Sequence, residues 1–147
     1  MKYLIHLFFY SLISLSPIGI LSNPVQAQLW HHKERPLHYQ PSGNDFLLHK
    51  GTKKFNRALY GTNTAFRVET GDLPEFALYM PGMGGNCKIG ILYKDQSKWL
   101  TGAENIQTVY RPGSMLYEIK DPLLQNGVIR LTTLAMADAD GMIIKIE

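Results

Sequence analysis

The sequence predicts an all-β protein, an antiparallel β-sandwich, behind an export signal. Three observations predict it. No window carries a sustained apolar repeat at helical spacing; short runs rich in β-branched and aromatic residues recur; and these runs are bounded by Gly, Pro, Asn and Asp. The composition agrees with a globular chain: of 147 residues, 45% are apolar and 18% charged, which excludes a disordered or collagen-like polymer. A single cysteine excludes an intramolecular disulfide framework.

Residues 1–27 read as a secretory signal peptide. Lys2 supplies the positive start, Leu4 to Leu15 is a nearly unbroken apolar run, Pro17 and Gly19 interrupt it, and Val25-Gln26-Ala27 gives the small-x-small cleavage pattern. Cleavage would leave Gln28 first and a domain over 28–147 that is periplasmic or extracellular, with no membrane attachment after processing. The net charge of +3 is small and its lysines and arginines are scattered, so no nucleic-acid partner is expected.

Within 28–147 the expected strands are 37–39, 46–49, 55–59, 65–70, 75–80, 88–93, 106–110, 115–120 and 128–137. Lys50-Gly51-Thr52 reads as a hairpin turn, Pro81 to Asn86 as a long glycine-rich turn, and Arg111-Pro112-Gly113, Gln125-Asn126-Gly127 and Asp138 to Gly141 as further turns. Trp99 and Leu100 fall in a connection with no assignment. Met142 to Glu147 reads as the start of a strand without its partner. The expectation is therefore a sandwich incomplete at its C-terminus, the front piece of a longer protein.

Few residues point to chemistry. The glycines of 81–86 lead into a strand rather than a helix, so a phosphate cradle is disfavoured. Glu69, Asp72 and Glu75 form the densest acidic cluster, and paired carboxylates are what glycoside hydrolysis requires; the alternative is a hydrated turn. His31, His32 and His38 lack a visible converging ligand set, and no metal or cofactor is expected. Asp138-Ala139-Asp140-Gly141 echoes a calcium loop but reads better as a hairpin turn. Cys87, at the start of an apolar run with no histidine beside it, reads as a buried inert thiol rather than a nucleophile. Tyr60, Tyr79, Tyr93, Tyr110, Tyr117, Trp30 and Trp99 offer aromatic faces for a sugar or, alternatively, for the core.

The block Phe55-Asn56-Arg57-Ala58-Leu59-Tyr60-Gly61-Thr62-Asn63-Thr64-Ala65-Phe66-Arg67-Val68-Glu69-Thr70-Gly71-Asp72-Leu73-Pro74-Glu75-Phe76-Ala77-Leu78-Tyr79-Met80-Pro81-Gly82-Met83-Gly84-Gly85-Asn86 resembles the domain of unknown function 4450 family, with Arg35 to Tyr39 and Gly43 to Phe46 in support. The resemblance implies a long secreted protein of polysaccharide-degrading Gram-negative bacteria. It implies an N-terminal β-sandwich followed by a glycosidase-like helical toroid that carries the catalytic acids. On that implication the present chain is the non-catalytic sandwich, its partner the missing C-terminal catalytic domain, and no catalytic residue transfers to it. A free-standing carbohydrate-binding module and a surface interaction domain are the alternatives. Independently of family, Arg57, Tyr60 and Asn63 cluster around a strand end and the Gly61-Thr62-Asn63 turn. A hydrogen-bonding fork, a ring and an amide there suit contact with a carbohydrate or a neighbouring domain, or simply satisfy their own loop.

Overall fold

The computed structural model describes residues 37–147, and the expected export signal, with His31, His32 and Trp30, lies outside them. The described strands, in chain order, are β1 (Gln40–Ser42), β2 (Asp45–His49), β3 (Arg57–Leu59), β4 (Arg67–Thr70), β5 (Glu75–Met80), β6 (Met83–Lys88), β7 (Gly90–Tyr93), β8 (Gln96–Trp99), β9 (Asn105–Arg111), β10 (Ser114–Lys120), β11 (Ile129–Ala135) and β12 (Met142–Ile146). They form a six-stranded sheet of order β1-β2-β9-β10-β11-β12, a four-stranded sheet β3-β4-β5-β6, and the hairpin β7-β8. Every pairing is antiparallel.

The fold follows from period-2 alternation on both sheets. On the four-stranded sheet Phe66, Val68 and Phe76 are buried, while Arg67 and Glu69 lie on the opposite face, half-buried. On the six-stranded sheet Met115, Tyr117 and Ile119 of β10 are buried, and their cross-strand partners Ile106, Thr108 and Leu131 are buried with them. Leu59, Phe66, Val68 and Phe76 join Ile106, Met115, Tyr117, Ile119, Leu131 and Ala135 in one core between the sheets. The Phe76 and Tyr117 rings meet edge-to-face across it, 5.8 Å apart. Each such buried side chain contributes about 1.5–3 kcal/mol relative to exposure, so the inter-sheet seam is the main stabilising feature. The all-β antiparallel sandwich expected from the sequence is the observed architecture.

Several local expectations are corrected. Residues 37–39 are not a strand; β1 begins at Gln40 and carries Pro41, tolerated because β1 is an edge strand. Lys50 to Thr52 is not a hairpin turn: β2 pairs with β1 and β9, and the chain crosses to the other sheet before β3 pairs with β4. The long glycine-rich turn shrinks to Pro81-Gly82, with Met80 opposite Met83 and Gly82 at φ +78°. Pro fixes the first turn position and Gly alone accepts the second without strain. Gly84 and Gly85 then continue as strand β6, opposite Tyr79 and Leu78. The expected strand 88–93 is split at Ile89, where the chain leaves one sheet for the β7-β8 hairpin. Trp99, unassigned from sequence, ends β8, and Leu100 starts a short 3₁₀ turn and is fully buried. The last strand has a partner after all: β12 pairs with β11 from Leu131–Ile146 to Ala135–Met142, and Glu147 and Arg130 exchange backbone hydrogen bonds. The register of β11 on β10 leaves the far edge of β11 to take it.

Candidate functional site

The crossing from β2 to β3 is organised by one carboxylate. Asp72 follows β4 and is wholly buried. Its Oδ2 accepts the amides of Thr52 (3.2 Å) and Lys53 (3.0 Å) and lies 2.8 Å from His38 Nε2. Its Oδ1 accepts the Tyr39 hydroxyl (3.0 Å) and Asn56 Nδ2 (3.1 Å). The Asp72 amide donates to Lys53 O, and its carbonyl accepts the buried Thr108 hydroxyl at 2.6 Å. Tyr117 donates to the neighbouring Gly71 carbonyl from the facing sheet. Segment 50–55 is thereby held although Lys50 and Phe55 both have positive φ, a conformation that costs about 1–3 kcal/mol per residue and persists only when the surroundings dictate it. The approach is close enough that a side chain on Gly51 would overlap Asp72 and one on Gly71 would overlap the backbone at Phe55.

Burial alone would push the Asp72 carboxyl up, but the Lys53 amide, Asn56, His38 and Tyr39 together hold it below the usual carboxylate range. The Tyr39 phenol is pushed well up, first by burial and then by its hydrogen bond to Asp72, so it remains a donor. The buried acids elsewhere are treated alike. Glu75, 3% exposed, lies between Lys54 Nζ (2.7 Å) and Lys88 Nζ (3.5 Å), and Lys54 above all lowers its pKa. Asp121 accepts Lys98 Nζ at 2.7 Å and the Glu104 and Leu123 amides, and is held ionised first by Lys98.

The Asp72 cluster sets up a platform for Arg57. Tyr39, anchored through its hydroxyl, presents its ring to the Arg57 guanidinium, whose Cζ is 4.9 Å from the ring centroid; the Tyr110 centroid is 5.9 Å away. Asn56, also anchored on Asp72, precedes Arg57 and accepts its Nη1 through the backbone carbonyl. Thr70 fixes the Arg57 carbonyl at 2.8 Å. Tyr39, Phe46, Arg57 and Tyr110 enclose an open depression of about 370 Å³. Phe46 and Tyr110 are cross-strand partners, their rings 6.2 Å apart, and Phe46 is 40% exposed.

The residues singled out from sequence separate. Arg57 turns to the seam with Tyr39 and Tyr110. Tyr60 is 62% exposed just beyond β3, on the side of Arg67, which stacks on the Tyr79 ring at 3.7 Å; Asn63 is exposed in the following turn. The acidic cluster also separates, and its expected hydration is corrected: Asp72 and Glu75 are buried, and Glu69 pairs with Arg67. Cys87 is half-buried on β6 opposite Phe76, against the core. Asp138 to Gly141 is a hairpin turn, closed by the Met136 amide on the Gly141 carbonyl, and Asp140 accepts Thr64. Among the described residues no three His, Cys, Asp or Glu side chains converge as metal ligands, and no helix is long and apolar enough to cross a membrane. Sequence reading missed Tyr39 and Phe46. The alternation of Phe46 and Leu48 was a signal for the face, but nothing local marked Tyr39 as its neighbour.

Fold and site together define an antiparallel β-sandwich with a buried carboxylate cluster and an arginine–aromatic depression at the junction of its sheets. Residues 80–147 match the family described as Domain of unknown function (DUF4450), a stretch that runs from the end of β5 through β12. The match supports that family, and of the block 55–86 it covers only the end. No curated protein and no solved structure matches the chain.

Proposed function

We propose that this chain is the non-catalytic β-sandwich of an exported, glycoside-hydrolase-like protein that handles polysaccharides, in which it supports a helical catalytic domain and meets carbohydrate through its aromatic surface. One observation carries the reading: the buried carboxylates are committed to cations and amides. Glycoside hydrolysis needs an acid whose pKa is raised opposite a second carboxylate. Asp72, Glu75 and Asp121 are instead all shifted downward, Asp72 by amide and hydroxyl donors, Glu75 first by Lys54 and Asp121 first by Lys98. A second reading, a free-standing carbohydrate-binding module, is favoured by the exposed rings of Tyr60, Tyr79 and Trp99.

The test is to incubate the protein with a panel of plant and host polysaccharides, measuring released reducing ends and retardation in polysaccharide-containing gels. The expected result is retardation by at least one polymer and no hydrolysis above background. Turnover that Glu69→Gln, Asp72→Asn or Glu75→Gln abolishes would overturn the non-catalytic reading; absence of retardation on every polymer would overturn the carbohydrate reading.

A further inference from the structure

We infer that the depression at Arg57 is a subsite for the carboxylate of an acidic sugar, a uronate unit of a polysaccharide. The inference rests on the carbohydrate reading above and narrows it to a substrate class. Its starting point is an unbalanced charge. Arg67 is paired with Glu69, Arg111 with Asp45 and Arg130 with Glu118. Among the described residues Arg57 alone of the arginines has no carboxylate partner, although it is half-buried between two tyrosines. A guanidinium carries five N–H donors in a planar fork, and the described residues engage it only through Nη1, on the Asn56 carbonyl. That leaves N–H donors without a partner among the described residues, on a side chain that lines an open cavity; a guanidinium fork is the group whose geometry two carboxylate oxygens match.

The fork is also preorganised. β3 pairing and Thr70 fix the Arg57 backbone, and the Tyr39 ring beneath it is fixed through Asp72. Little conformational freedom remains to be lost on binding. The rim favours a sugar over an acidic peptide. Phe46 and Tyr110 offer ring surface beside the cation, suited to the C–H face of a pyranose. The depression, about 370 Å³ and open to solvent, lies at the small-ligand end of the usual range of about 300–1,000 Å³, enough for one sugar ring.

The experiment is calorimetric titration of the protein with oligogalacturonides and with the same oligomers after reduction of their carboxyl groups to alcohols. Binding of the acidic oligomers should be tighter by about tenfold or more, the worth of a charge-assisted bidentate contact, and should weaken as salt is raised. Arg57→Gln should remove that preference, while Lys145→Gln, at an exposed and distant charge on β12, should leave it. An equal loss in both variants would mean attraction to overall positive charge and would overturn the subsite. Equal binding of acidic and reduced oligomers would overturn it too, yet leave the carbohydrate reading standing; binding of neither would remove both. Should Arg57→Gln fail to fold, NMR of the wild-type protein decides: shifts on galacturonate addition centred on the Arg57 Hε and the Tyr110 ring support the subsite, and shifts centred elsewhere overturn it.

Discussion

The Tyr39 hydroxyl donates to the buried Asp72 carboxylate across 3.0 Å, and the face of the same ring carries the Arg57 guanidinium. A buried carboxylate engaged by its own chain thus sets the position of the guanidinium that lines the depression. Asp72 joins the segment before β1, the β2–β3 crossing and the end of β4, while Thr108 and Tyr117 of the larger sheet bond to the backbone at Asp72 and Gly71.

Removing Asp72 should therefore cost more than any exposed acid. Asp72→Ala strands the Tyr39 hydroxyl, the Asn56 amide and two backbone amides in a buried site, a loss of about 3–5 kcal/mol by analogy with broken buried charge networks. Glu147→Gln, on an exposed pair with Lys145, should cost under about 0.5 kcal/mol. Urea denaturation of both variants checks this; similar midpoints would show that the cluster is not structural.

Stability should fall in acid. Asp72 and Asp121 sit below their ordinary 3.8 and Glu75 below 4.5 in the folded state. For a lowered carboxylate the stabilisation is complete above the unfolded pKa and is lost as pH falls through the folded one. The urea midpoint should accordingly hold between neutrality and about pH 5 and drop progressively below about pH 4. A midpoint that rises on acidification would contradict the ionised assignment of all three.

Tyr117→Phe should destabilise although no volume is lost. The hydroxyl donates to the Gly71 carbonyl at 2.8 Å inside the core, and its removal leaves that carbonyl without the bond. The expected cost is about 1–2 kcal/mol, read as a shift of thermal midpoint, with no change in far-ultraviolet dichroism. A neutral result would mean that another donor or water replaces the hydroxyl.

Two glycines should respond oppositely to alanine. A Cβ on Gly61 would overlap the Met136 carbonyl where the chain leaves β11, so the backbone must move, at about 1–3 kcal/mol. A Cβ on Gly85 meets nothing, and Gly85→Ala should be neutral or slightly stabilising in an edge strand. Paired melting curves decide, and a larger loss at Gly85 would refute the packing argument.

The strands read most directly were those whose signals are local. Arg111-Pro112-Gly113 turns β9 into β10 with Gly113 at φ +86°, and the flanking alternation of Met115, Tyr117 and Ile119 is the buried face. Pro-Gly chemistry and period-2 patterning act within a few residues, so the sequence displays them. The two glycines of β6 misled because they look like turn formers; they belong to a strand because Leu78 and Tyr79 lie across from them, a fact 5 to 7 residues away in the chain and dependent on register.

The site was legible only as far as Arg57. Its neighbours Tyr60 and Asn63 share its loop in sequence, but the guanidinium turns instead to Tyr39 and Tyr110, from two other strands' surroundings. Asp72 read as a hydrated turn acid, since the residues beside it are turn formers. By itself the sequence determined the all-β class and most turns, because these depend on backbone preference and on patterning within a few residues. Which carboxylate is buried, and which arginine is left without an acid, was decided by tertiary structure, because both depend on donors brought from 16 to 36 residues away and on the exclusion of water that the second sheet imposes.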